Sequence, residues 1–131
     1  MARAFIWTVA AIFVVAGLMY VVSPASLTQA TGIAADAGGL TDIRANYGGF
    51  QLGFGLFLAW CARSRVSVGL LLTALVLGGV LLSRVTGLLM DGSVTAFHLS
   101  ALGFETTLTA LAVWFYTRSP IPSATSGEIS P

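Results

Sequence analysis

Four apolar segments, residues 5–22, 43–61, 66–84 and 95–116, govern what this chain can fold into. Each runs for roughly 17 to 22 residues, enough at about 1.5 Å per residue to cross a hydrocarbon core of about 30 Å as a helix. Lipid offers the backbone no hydrogen-bond partners, so an open sheet would leave its edge bonds unmade and the segments are expected to be helices. The links around residues 63–65 and 91–93 are very short, which predicts neighbouring helices running in opposite directions. The expected fold is therefore all-α, an integral membrane antiparallel four-helix bundle over residues 1–118. A Pro- and Ser-rich tail at 119–131 has no apolar periodicity and is expected to be disordered.

Composition agrees with this reading. Of 131 residues, 56% are hydrophobic and only 8% are charged, and the mean hydropathy is +0.92. Soluble domains carry about a quarter charged residues, so the lipid bilayer is the expected surrounding. The length leaves no room for a separate soluble domain beside four spans. A net charge of +1 without a single lysine gives no basic stripe, which sets nucleic-acid partners aside. The lone Cys61 excludes an internal disulfide or a CxxC redox pair, and at the end of an apolar segment it reads as a small packing residue.

The first apolar run follows Arg3 in the manner of a signal peptide, but it is too long for a signal core and lacks a convincing cleavage site, so it is expected to be retained. Residues 23–42 are rich in Pro, Gly, Ser and Asp and read as a loop. Within it, residues 25–35 offer a short interfacial helix that Gly32 disfavours. Thr41 is the expected N-cap of the second span, with Asp42 in its first turn. Arg3, Arg63, Arg65 and Arg118 fall on one side of the membrane, Arg44 and Arg84 on the other with Asp36, Asp42 and Asp91. The positive-inside rule then puts both termini in the cytoplasm and the first long loop outside, as in a bacterial inner membrane.

The residues able to carry chemistry are few. Residues three, four and seven apart share a helix face, which groups Arg44, Tyr47, Gly48 and Gln51 in the second span. Gly49 and Gly53 form a GxxxG pair on a neighbouring face, suited to close approach of another helix, within the chain or from a partner membrane protein. Arg44 and Arg84, both near the outer boundary, either snorkel to the interface or serve the bundle interior. His98 and Glu105 are seven apart on one face of the fourth span. About ten residues into that span, Glu105 reaches the middle of the hydrocarbon layer, where a carboxylate facing lipid would cost several kcal/mol. It must face the interior, with Arg44, Arg84, Tyr47, Gln51 and His98 as its available partners. One histidine, one mid-span carboxylate and Asp91 fall short of a metal site, and two-histidine haem ligation is excluded within one chain.

At RANYGGFQLGFG, SRVTGLLMDG and the His98-to-Glu105 helix, the chain resembles an uncharacterised bacterial family of small four-helix membrane proteins, a domain of unknown function. The pattern is carried by Arg44, Tyr47, Gly48, Gly49, Arg84, Gly87 and Glu105. That family is distantly similar to DoxX-like membrane proteins, some of which are linked to quinone-coupled oxidoreductases. The resemblance implies topology and site residues but no reaction and no defined cofactor.

Two functions stay open on these residues. In one, Arg44, Tyr47, Gln51 and Arg84 hold a small hydrophobic, amphipathic or lipid-like ligand, with Glu105 and His98 as candidate catalytic proton-transfer groups. In the other, the polar cluster is architecture that fixes helix register, and Gly48, Gly49 and Gly53 dock the chain as a non-enzymatic subunit on a membrane partner. A proton-coupled transporter is a weaker third reading, because the two halves do not repeat.

Overall fold

The computed structural model describes residues 1–92 and 94–119; the remainder of the tail expected to be disordered lies outside the described residues. The described chain is helical, with no strand: α1 is Ala2–Val22, α2 Ala25–Thr31, α3 Ala37–Ile43, α4 Phe50–Ser64, α5 Val66–Asp91 and α6 Ala96–Thr117. Of these, α1, α5 and α6 are long and apolar enough to cross a membrane. Helical backbone also runs unbroken from Ala37 to Ser64, because a π-helical turn over Arg44–Gly49 joins α3 to α4.

Three elements depart from expectation. The loop at 23–42 contains α2 and α3. Gly32 ends α2 in a left-handed conformation, φ 76°, which a glycine adopts without steric cost. The second helix starts earlier than Thr41: Asp36 is extended, φ −80° and ψ −172°, and its Oδ1 accepts from the Gly39 N–H at 2.8 Å. Thr41 instead lies inside the helix, donating to the Ala37 carbonyl at 3.1 Å. The third long helix continues past residue 84 to Asp91 and stops at Gly92, φ 64°. Arg84 therefore stands two turns inside its helix, roughly 10 Å from the end.

Packing is uneven along the molecule. The main helix pairs are α1 with α4 and α5 with α6, with lesser contacts of α5 to α4 and α1. The α1–α4 pair is close: a Cβ built on Gly17 would lie 2.5 Å from the Leu52 amide nitrogen, and one on Gly55 2.7 Å from that of Val14. Only residues without a side chain let two helix backbones approach so far. The four long helical stretches meet in a core of Ile6, Val9, Phe54, Leu58, Leu70 and Leu108, with Leu77 at its edge. All of these lie toward the ends that carry Phe5, Arg63, Arg65 and Phe115; the Phe5 and Phe115 rings sit 5.4 Å apart. Beyond Leu77 in α5, and before Glu105 in α6, no residue is buried. The opposite ends of α5 and α6 therefore carry no buried core.

Candidate functional site

At this end lies a cavity of about 520 Å³. α1 contributes Ile12, Phe13, Ala16 and Tyr20 to its wall; α5 contributes Val76, Leu77, Val80 and Arg84; α6 contributes Phe97, His98, Ala101, Phe104 and Glu105. The π turn and the start of α4 supply Asn46, Tyr47, Phe50 and Gln51, and α2 reaches it through Leu27 and Thr31. Phe13 and Phe54 meet edge to face at 4.8 Å, while Phe50 stacks on Phe54 at 6.3 Å, so aromatic rings form part of the boundary between cavity and core, with Leu77 beside them.

Its polar centre is a salt bridge. Arg84 Nε donates to Glu105 Oε2 at 2.9 Å, and Nη2 donates to Oε1 at 2.6 Å. This two-pronged fit of guanidinium to carboxylate is the strongest geometry the pair can adopt. Glu105 is 7% exposed. The Arg84 guanidinium also lies 5.9 Å from the centre of the Phe97 ring, at the outer limit for a cation–π contact. Both charges thus find partners from neighbouring helices, which is what lets them stand at this depth.

Among the other sequence-selected residues, Tyr47, Gln51 and His98 line the same cavity. The Gln51 Oε1 atom is buried and accepts no hydrogen bond. His98 also borders a second cavity of about 210 Å³ with Arg84, Gly87, Leu88 and Asp91. No group of three or more His, Cys, Asp or Glu side chains able to hold a metal stands among the described residues.

Arg44 stands apart from this set. It is exposed, and its Nε donates to the Val21 carbonyl at 3.2 Å. That carbonyl is in the last turn of α1, where carbonyls lack helix partners and a cation is favoured by the helix dipole. Periodicity groups Arg44 with Tyr47 and Gln51 only on a regular α-helix. The π turn at Arg44–Gly49 inserts an extra residue and changes that register.

The glycines divide similarly. Gly48 is buried against α1, where an added Cβ would lie 2.7 Å from Val21 Cγ2 and 2.9 Å from the Val21 amide nitrogen. Gly53 meets nothing within 4 Å and Gly49 only the Arg44 carbonyl oxygen at 3.7 Å. The close approach within the chain therefore uses Gly17, Gly48 and Gly55, and the GxxxG face of Gly49 and Gly53 is open.

Sequence reasoning did not select Asn46, Phe97 or the α2 residues. Asn46 and Phe97 had a usable signal, each adjoining a selected residue, Tyr47 or His98. Leu27 had none beyond being an isolated apolar residue in a polar stretch.

Residues 1–116 match the family model described as a domain of unknown function, DUF4345. The chain belongs to the DUF4345 family. The match spans α1 through nearly all of α6, so the DUF4345 unit includes the whole cavity and the Arg84–Glu105 pair. No curated protein and no solved structure matches this DUF4345 chain.

Proposed function

We propose that this chain is an antiparallel four-helix protein of a bacterial inner membrane that binds a small amphipathic molecule in the cavity between its two helix pairs. The observation that carries the reading is the cavity itself. At about 520 Å³ it falls within the range of small-molecule sites, with apolar walls and a few convergent polar groups. A structural salt bridge needs no such space beside it.

The arrangement of helices is supported by contacts that run in opposite order along each pair: Gly48 lies by Val21, Leu52 by Gly17 and Gly55 by Val14, and across α5 and α6 Gly78 lies by Thr109 and Arg84 by Glu105. The span count rests on treating Ala37–Ser64 as one helical path. Orientation is supported by Arg118, whose guanidinium lies 4.5 Å over the Trp114 ring, an aromatic and cation pairing suited to a membrane boundary. With Arg3, Arg63 and Arg65 at the same end, both termini are cytoplasmic and the cavity lies in the outer half. A distant relationship to DoxX-like membrane proteins belongs to the same reading and rests on the sequence pattern alone.

Within the site, Arg84, Gln51 and Tyr47 contact the ligand's polar part, and His98 is the group placed to exchange a proton. Glu105 has both oxygens committed to Arg84, so its role is to hold that side chain in place. Arg44 acts on α1 rather than on the ligand. The open face of Gly49 and Gly53 favours a second reading, a docking surface for a partner span in a membrane complex.

The test is extraction in mild detergent followed by mass spectrometry of co-purifying small molecules, on the parent and on Ala101→Trp. Ala101 lines the cavity one helical turn before Glu105, and an indole there takes up part of the space. Loss of a co-purifying amphiphile in the filled variant, with the protein still folded, is the expected result. An amphiphile retained equally by both proteins, or none in either, defeats the binding reading. A stoichiometric protein partner lost on Gly53→Leu would favour the docking reading instead.

A further inference from the structure

We infer that the ligand is an uncharged amphiphile whose head carries both a hydrogen-bond donor and an acceptor, such as a hydroxyl beside an ester or ketone, rather than an anionic lipid. The inference rests on the proposed binding function and deepens it.

Two arginines on the outer side suggest, at first, a site for a carboxylate or phosphate. The structure divides them. Arg44 lies outside the cavity and caps α1. Arg84 is the one arginine lining it, and it gives two of its donors to Glu105 in a paired fit. Arginine and carboxylate side chains in the lining balance: one guanidinium against one carboxylate. The adjoining small cavity adds Asp91, a further negative group beside Arg84 and His98. An anionic head would have to leave water for a site whose positive charge is already matched, and such a transfer is strongly unfavourable.

What the site does lack is specific. Arg84 keeps donors on Nη1 that no carboxylate oxygen of Glu105 takes up, since that pairing uses Nε and Nη2. Gln51 Oε1 is buried without a donor. One calls for an acceptor on the ligand, the other for a donor. Buried polar groups are normally satisfied, so the Gln51 oxygen is the one a ligand donor would complete, while the remaining donors of Arg84, a side chain 22% exposed, are offered to a ligand acceptor. The apolar walls at Ile12, Phe13, Val80 and Phe104 would take its chain.

The experiment uses the full chain in detergent with three probes of one acyl length: monolauroylglycerol, with donors and acceptors; methyl laurate, with acceptors only; and laurate, an anion. Binding is read by native mass spectrometry titration at neutral pH. The expected order is monolauroylglycerol first, with methyl laurate and laurate each weaker by about tenfold or more, the scale of an unmet buried polar group. Glu105→Gln should reverse the preference toward laurate, because it frees the Arg84 charge. Gln51→Leu should bring monolauroylglycerol and methyl laurate within about threefold of each other, and this variant keeps the salt bridge should Glu105→Gln fail to fold. Laurate binding to the parent as tightly as monolauroylglycerol overturns the inference while leaving the binding function standing. If Ala101→Trp abolishes none of the binding, or no probe binds, the binding function itself fails.

Discussion

Replacing Gly17 by alanine tests the packing on which the cavity depends. A Cβ at Gly17 would lie 2.5 Å from the Leu52 amide nitrogen, 2.9 Å from the Leu52 Cα and 2.9 Å from the Gly48 carbonyl oxygen. All three are backbone atoms, so no rotamer change relieves the clash and the helices must part. Overpacking of this kind costs about 1–3 kcal/mol, and rigid neighbours place it at the upper end. Alanine recovers about 1 kcal/mol of helix propensity relative to glycine. The net expectation is a loss of about 1–2 kcal/mol. Gly53→Ala makes the same chemical change where nothing lies within 4 Å, so only the propensity gain remains and the protein should hold or gain stability. The assay is built into the chain: Cys61 is its single cysteine and is fully buried, so a thiol-reactive fluorophore reports unfolding on heating in detergent. Opposite signs for the two variants are expected. Equal effects, or a stabilised Gly17→Ala, would refute the claim that α1 and α4 meet backbone to backbone at this point.

The same thiol-labelling melt checks three further expectations. Arg84→Ala leaves the nearly buried Glu105 carboxylate without its partner and should cost about 3–5 kcal/mol, whereas the double change Arg84→Met, Glu105→Leu should recover most of that loss. Asp36→Ala removes the side-chain cap of α3 and should cost about 1 kcal/mol, with Asp36→Ser close to the parent. Arg44→Ala deletes one exposed contact to the end of α1 and should cost less than about 1 kcal/mol, while leaving amphiphile binding within about threefold of the parent because Arg44 lies outside the cavity.

The sequence makes the site's central pair legible for a physical reason. A carboxylate about ten residues into an apolar helix has so few tolerable environments that Glu105 must find a cation, and Arg84 was among a handful of partners. Its depth in α5 was less visible, because residues 85–91 mix apolar with small and polar residues and read as a boundary, yet they continue the helix to Gly92. The π turn at Arg44–Gly49 was not legible at all. Nothing in RANYGG distinguishes a wide turn from a regular one, and its effect is to break the periodicity by which Arg44 joins Tyr47 and Gln51. The glycines show the same limit: Gly48, Gly49 and Gly53 are chemically identical, and only the path of α1 decides which of them is packed. α1, α5 and α6 were legible as membrane-capable helices because length and hydropathy are local properties. Which faces meet is not local: the missing side chain at Gly17, more than thirty residues before the glycines at 48, 53 and 55, helps to settle it.

The uneven core connects these observations to function. Close packing of Ile6, Leu58, Leu70 and Leu108 fixes the two helix pairs to each other at one end, while the salt bridge lies within the α5–α6 pair alone. At the cavity end, therefore, neither charge tethers one pair to the other. Tyr47 and Gln51 stand on the α1–α4 side, with Arg84 and His98 on the α5–α6 side. A ligand touching both sets would bridge the two pairs, and anything that binds the folded state in this way must stabilise it by mass action. Monolauroylglycerol at a hundredfold excess over its dissociation constant should then add about 2.7 kcal/mol to stability in the Cys61 labelling melt. The same addition should do nothing for Ala101→Trp. A stabilisation of equal size in the filled variant would mean that the amphiphile acts on the detergent or the lipid-facing surface, and that the space between the helix pairs is not where it binds.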